Sequence, residues 1–385
     1  AYRQAIRIDP SFAPAHHTLG NLLADGDRLE EAAAAYASAV AANPAYPDAW
    51  NALGVIRQRQ GRLAEAEPAF RTAMRHAPRW VEPHGNLGVT LLGLEQHHAA
   101  ERVLRHAVEL DPTHAPAFGN LGALLLRSGF PIAAEEATRR ALALAPAEHR
   151  WISNLAGALQ MQVRHVEAEA EYRRALSVRP DYAGGHGNLL FALNYRDDLS
   201  PHAIFSEDRD WDARHARPLR PGDSTPATPT PPAGRIPPAA STPPAASAPP
   251  SPLGRRMRVG YVSADFRQHA VALFSEPLLA AHDRSRVELF CYAELVLEDE
   301  TTRRFRAMAD HWRPTLGLSD EQVADMIRAD GIDVLVDVGG HTAGNRLLVF
   351  ARKPAPLQVE YILGHGYTSG LSAMDVFFAD HRLAP

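Results

Sequence analysis

Six prolines stand 34 residues apart, at Pro10, Pro44, Pro78, Pro112, Pro146 and Pro180, and that interval is the length of one helix-turn-helix unit of the tetratricopeptide kind. Other residues keep the same register. Leucine recurs at Leu19, Leu53, Leu87, Leu121, Leu155 and Leu189, followed in four units by Gly20, Gly54, Gly88 and Gly122. Alanine recurs at Ala32, Ala66, Ala100, Ala134 and Ala168 and again at Ala5, Ala39, Ala73, Ala107, Ala141 and Ala175, while Tyr2, Tyr36, Phe70, Leu104 and Tyr172 supply bulk where Thr138 is the exception. Glycine and alanine let two antiparallel helices approach closely, leucine and the aromatics are expected to fill the groove between one hairpin and the next, and proline stops the second helix. One hairpin cannot bury its apolar face alone, so the units are expected to stack into a superhelix with a continuous core and a concave inner surface suited to binding.

The opening "AYRQAIRIDP" reads as the tail of a repeat, so the array is expected to extend upstream of residue 1. After Pro180 one more first helix, "GGHGNLLFALNY", follows; His202 then replaces the expected alanine and the register is lost. Ser200 and Pro201 look like the N-cap and first turn of an atypical helix that closes the array, giving a first domain of 1–217. Four units place asparagine before the register leucine, at Asn86, Asn120, Asn154 and Asn188. Such a row of amides either clamps the backbone of an extended peptide, each bond contributing about 0.5–1.5 kcal/mol, or serves local hydrogen bonding within the array.

Residues 218–256 read as a disordered linker rich in Pro, Ala, Ser and Thr. From Pro221 to Pro252 there are 12 prolines in 32 residues and almost no large apolar side chain, so no core can form and an extended spacer is expected. From residue 257 the periodicity changes. "MRVGYVSAD", "VELFCYAE", "IDVLVDVGG", "LQVEYIL" and "MDVFFAD" read as strands, with "DEQVADMIRADG" a helix closed by Gly331 and "RLLVFARKP" another. Strands alternating with helices imply a mostly parallel, doubly wound sheet, an α/β Rossmann-like lobe over 257–385. Ligands of such sheets bind beyond the carboxyl ends of the strands, where three histidines are expected on one rim: His269, His341 in "VGGHTAGN" and His365 in "LGHGYTSG". Neighbouring Gly339, Gly340, Gly364 and Gly366 would let a backbone approach a ligand closely; alternatively, histidine and glycine are there for turn chemistry alone.

Several classes are disfavoured. With 40 basic and 45 acidic side chains there is no electrostatic footprint for nucleic acid or an anionic membrane. No run of 18 apolar residues is present to span a bilayer, and a single cysteine, Cys291, excludes an intramolecular disulfide framework and fits a reducing, cytoplasmic setting. Three histidines can hold zinc, but none share tight spacing on one element, so no metal is expected. The turn "SADFRQHA" lacks the glycine fingerprint of a dinucleotide site, and no nucleophile elbow marks a serine hydrolase.

The repeats, "LLFALNYRDDLSPHAIFSEDRDWDARHA", "MRVGYVSADFRQH", "ELFCYA", "ADMIRADGIDVLVDVGGHT", "RLLVFARKPAPLQVEYILGHGYTSG" and "AMDVFFAD" together resemble the O-linked N-acetylglucosamine transferase family, including its Spindly-type members. The resemblance spans the chain except the proline-rich insertion. It implies the first half of a GT-B catalytic domain and transfer of a sugar, N-acetylglucosamine from UDP-N-acetylglucosamine, to Ser or Thr of acceptor proteins held by the repeats, with inversion, no cofactor and no obligatory metal. On that resemblance His269 matches a histidine proposed as catalytic base, for which an ordinary imidazole pKa near ~6.5 is suited, and Asp325 an aspartate proposed to help move the proton. The loops of His341 and Thr342 and of Gly364, His365, Gly366, Thr368 and Ser369 match segments lining the cleft. Two departures stand out. Ala270 and Val271 follow His269 where animal members have proline, and the chain ends at Pro385 after one lobe, whereas the family's donor contacts come largely from a second; the polypeptide is therefore expected to be inactive by itself. Rival readings are a related transferase using fucose or glucose, or an asparagine acceptor, and a non-catalytic tetratricopeptide adaptor.

Overall fold

The computed structural model describes residues 2–221, 254–342, 344–361 and 368–378. The chain divides into two compact units, Ala1–Ile204 with Leu316–Leu318, and Phe205–Thr315 with Ser319–Pro385.

The first unit is helical throughout. α1 (Tyr2–Ile8) is followed by five hairpins: α2 (Ala13–Asp25) with α3 (Leu29–Ala42), α4 (Pro47–Arg59) with α5 (Leu63–His76), α6 (Val81–Gly93) with α7 (His97–Leu110), α8 (Ala115–Arg127) with α9 (Pro131–Leu144), and α10 (His149–Met161) with α11 (His165–Val178); α12 (Ala183–Leu193) comes next. Each register proline lies just beyond a second helix, where its missing N–H costs nothing. Leu87, Leu91, Leu104, Leu124, Leu155 and Phe70 are fully buried.

Small and large residues pair differently from the sequence expectation. A Cβ added at Gly54 of α4 would stand 2.6 Å from the ring of Phe70 in α5, and Gly20, Gly88 and Gly122 meet Tyr36, Leu104 and Thr138 in the same way. Bulk therefore fills the space over the glycine inside one hairpin, and not only the groove between hairpins. A second periodicity lies in the turns, where Asp27, Gly61, Glu95, Gly129 and Val163, again 34 apart, all adopt left-handed backbone with φ between 57° and 79°. Glycine occupies that region freely; valine does so at a cost of about 1–2 kcal/mol.

α13 (Pro201–Trp211), a π turn (Asp212–Ala216) and a 3-10 turn (Arg217–Leu219) complete the segment before the linker. The sequence register assigned it to the array as far as residue 217 and gave the rest to the linker. From Phe205 onward it belongs instead to the second unit, because its buried side chains find their partners there: Asp212 accepts from the N–H and Oγ of Ser372 at 3.0 and 2.8 Å, and Arg220 donates to the Ser372 carbonyl. The expected spacer over Pro221 to Pro252 lies outside the described residues apart from Pro221 itself.

Among the described residues the lobe is a six-stranded parallel sheet in the order β3-β2-β1-β4-β5-β6. The strands are β1 (Met257–Ser263), β2 (Val287–Ala293), β3 (His311–Pro314), β4 (Val334–Asp337), β5 (Leu357–Glu360) and β6 (Val376–Phe377). Between them run α14 (Ala272–Ala280), α15 (Glu300–Met308), α16 (Asp320–Asp330) and α17 (Leu347–Ala351). α16 starts in a capping box of Ser319 with Gln322, and it ends, as the sequence foretold, at Gly331, which is in left-handed conformation with φ 62°. The all-helical array and the Rossmann-like lobe are the two folds the sequence pattern implied. Among the described residues no helix is long and apolar enough to cross a membrane.

Candidate functional site

Chain direction along the sheet reverses between β1 and β4, and the loops that leave those two strands open a crevice at their carboxyl ends. Val262, Ser263, Asp265, Asp337, Thr342 and Arg346 are among its lining residues, around a cavity of about 10 Å³, room for one water. Arg346 braces the rim. Its buried guanidinium reaches Glu294 at 2.7 Å, Asp320 at 2.8 Å and the Thr315 carbonyl at 3.2 Å, so the exits of β2, β3 and β4 are tied to one cation.

His269 sits on the β1 exit loop with its side chain 42% exposed, and its Nδ1 lies 3.5 Å from Oδ1 of the largely buried Asp265. The loop is pinned on both sides. Asp265 N–H donates to Ser263 Oγ at 2.9 Å, and Gln268 N–H donates to Asp299 Oδ2 at 2.6 Å. Burial alone would raise the Asp299 carboxyl, but N–H donors from Gln268 and Thr302 outweigh it and hold it low. At Asp265 burial prevails: its pKa is raised, with His269 and Arg267 opposing. A half-exposed imidazole backed by a buried carboxyl at a switch-point crevice can accept a proton from a ligand arriving there.

The other expected rim residues part company with it. His341 is 3% exposed; its Nε2 donates to the Ser369 carbonyl at 3.0 Å and its ring meets Trp211 edge-on at 4.7 Å. It therefore packs inward as a support for the loops and does not converge with His269 on an open mouth. Thr342 lines the crevice, its hydroxyl donating to Gly339 O at 2.8 Å. Thr368 Oγ1 donates to Glu360 at 2.9 Å, and the fully buried Ser369 gives its N–H to the same carboxyl. Asp325 stands on α16, 68% exposed, in a 2.6 Å ion pair with Arg328; no contact joins it to His269 among the described residues. Gly364, His365 and Gly366 lie outside the described residues.

In the array, Asn86 donates to Asn51 Oδ1 at 3.1 Å, Asn120 to Gly85 O at 3.4 Å and Asn188 to Ser153 Oγ at 3.4 Å. Each amide N–H thus reaches back into the preceding repeat, the local alternative to a peptide clamp. Asn154 holds the same register place and is half-buried.

Sequence reasoning missed a buried acidic group. Asp208 of α13, Asp337 at the end of β4 and Glu360 at the end of β5 are 4%, 2% and 1% exposed. Burial first, and then the charge of Glu360, push Asp208 and Asp337 each up to about 7, although backbone N–H groups of Gly340 and Gly339 oppose the rise at Asp337. Burial also raises Glu360 against the bonds from Ser369 and Thr368. The available signal was an acid closing each of two apolar strands, "VLVD" and "LQVE".

Comparisons with known proteins agree with this architecture. Residues 244–385 match the model of glycosyl transferase family 41, and residues 17–79 and 81–114 match tetratricopeptide repeat models. Over 202 residues, 51% of this chain and 19% of the relative, the sequence is 31% identical to a Petunia hybrida protein named probable UDP-N-acetylglucosamine–peptide N-acetylglucosaminyltransferase SPINDLY. A Caenorhabditis elegans UDP-N-acetylglucosamine–peptide N-acetylglucosaminyltransferase is 39% identical over 135 residues, 34% of this chain and 12% of that protein. Among solved structures, a mutant O-GlcNAc transferase of Thermobaculum terrenum superposes with a TM-score of 0.68 at 34% identity, covering 79% of this chain and 54% of that one. The chain thus spans about a fifth of the length of the curated relatives it matches first, and the resemblance read from its motifs holds.

Proposed function

With a family 41 segment joined to tetratricopeptide repeats as the premise, we propose that the chain serves a protein O-glycosyltransferase, moving N-acetylglucosamine from UDP-N-acetylglucosamine to Ser or Thr hydroxyls of acceptor proteins. The lobe is the acceptor-side half of a GT-B pair; the repeats present the acceptor on their concave face; the setting is cytoplasmic, and neither cofactor nor metal takes part. One observation carries the reading: exposed His269 lies 3.5 Å from Asp265, which lines the β1–β4 crevice of a lobe whose relatives are named for this transfer. As the acceptor oxygen bonds to the anomeric carbon, its proton passes to His269 and the nucleotide departs with the electron pair of the broken C–O bond. The test is to incubate a transfer-competent form of the protein with UDP-N-acetylglucosamine, UDP-glucose or GDP-fucose and a peptide library, then locate the sugar by mass spectrometry. Label on Ser or Thr from the first donor alone is expected. Label from GDP-fucose only, or on asparagine, overturns the donor or acceptor assignment.

A further inference from the structure

The proton relay asks something specific of His269. To take a proton at Nε2, a neutral imidazole must carry its own hydrogen on Nδ1, and the tautomer is set by what faces Nδ1. Two groups do. The backbone N–H of Val271 lies 3.3 Å away and donates to that nitrogen, an arrangement that places the ring hydrogen on Nε2 and leaves no lone pair for an acceptor. Asp265 Oδ1 lies 3.5 Å from the same nitrogen and favours the opposite tautomer, with Nδ1–H directed at the carboxylate.

The geometry points to Asp265 as the positioning residue that selects the base-competent Nδ1–H tautomer of His269 over the Nε2–H tautomer that the Val271 N–H favours. This rests on the transferase reading for its purpose, while the tautomer itself is a property of the loop. Several features support it. A hydrogen bond to a carboxylate is roughly twice as strong as one from a neutral amide, so once the pair closes from 3.5 Å it outcompetes the Val271 contact. Asp265 is 8% exposed, and it lies two residues beyond the end of β1. Among the described residues, His269 and Arg267 favour its ionised form against the burial that raises its pKa. Ser263 and Asp299 hold the loop backbone on both sides of the pair, so a turn of the imidazole suffices and no refolding of the loop is needed. In that tautomer Nε2 takes the acceptor proton while the Nδ1–H to Asp265 bond stabilises the imidazolium that results, a division of labour known from other base–carboxylate pairs.

The 385-residue chain itself supplies the test. With 15N-labelled histidine, the ring resonances of His269 are assigned by their loss in His269→Gln, and nitrogen shifts above the imidazole's titration report which nitrogen carries hydrogen. The proposal expects Nδ1–H in the wild type, Nε2–H in Asp265→Asn, whose amide can donate to Nδ1, and return of Nδ1–H in Asp265→Glu. Nε2–H in the wild type, or the same tautomer in all three, overturns it regardless of any activity. In a transfer-competent form, Asp265→Asn should lower kcat by about 100-fold or more with acceptor KM within twofold. A wild-type Nδ1–H that Asp265→Asn removes without slowing transfer would count against His269 as the base, and so against the transferase mechanism, not against the tautomer assignment.

Discussion

Asp208→Asn isolates one of the raised carboxyls of the lobe. The carboxyl is 4% exposed and burial, followed by the charge of Glu360, pushes it from 3.8 up to about 7. A carboxyl raised on folding stabilises the native state fully below its unfolded pKa of about 3.9, and that contribution disappears as pH rises through the folded value. Between pH 5 and pH 8 the wild type should therefore lose about two units' worth, near ~3 kcal/mol at 1.36 kcal/mol per unit, an upper figure because Glu360 shares the titration. Asparagine keeps the shape and stays neutral, so its fixed packing cost cancels between the two pH values. The expected outcome is that Asp208→Asn gains about 2–3 kcal/mol relative to wild type on going from pH 5 to pH 8. Hydrogen exchange by mass spectrometry, corrected for the intrinsic pH dependence of exchange and followed in peptides covering β1 and β4, reads this directly. Peptides from the helical unit serve as the internal control. A difference between variant and wild type that is the same at both pH values would refute the reasoning, because Asp208 would then be charged or hydrated in the native state throughout.

Three further substitutions probe packing and backbone. Gly54→Ala places a methyl group 2.6 Å from Phe70 and should cost about 1–3 kcal/mol by overpacking, seen as a lower midpoint of helical unfolding by circular dichroism. Val163→Gly relieves a φ of 63° at a side chain that is 74% exposed, and the same melt should rise, the strain relieved being about 1–2 kcal/mol less the entropy glycine adds to the unfolded chain. Arg346→Ala strips the partner from the half-buried Glu294 and Asp320 and should lower lobe stability by about 3 kcal/mol, read by hydrogen exchange in β2 and β3.

Much of the fold was legible because periodicity is a geometric constraint: a 34-residue register survives in every hairpin, and the alternation in "MRVGYVSAD" and "VELFCYAE" maps onto β1 and β2. The losses have local causes. β3 is four residues of "HWRP" at the sheet edge, too short and polar to show a strand pattern. The segment from Phe205 breaks the repeat register, and only contacts far along the chain, such as Asp212 with Ser372, reveal that it belongs with the lobe. At the site, His269 was marked by its place after an apolar strand, but inward-facing His341 looks the same in one dimension, since Trp211 and Ser369 reach it only through the fold. The raised carboxyls of Asp208, Asp337 and Glu360 are likewise a consequence of burial that strand-end acids alone do not announce.

The account stands most directly on His269. In a transfer-competent form of the protein, sugar transfer from UDP-N-acetylglucosamine to a bound Ser/Thr peptide is to be measured for wild type and His269→Ala, with peptide affinity measured separately on the repeats. A fall in transfer of about 10²–10⁴-fold with affinity unchanged is the predicted result. Transfer within twofold of wild type would contradict the assignment of proton acceptance to the β1–β4 crevice.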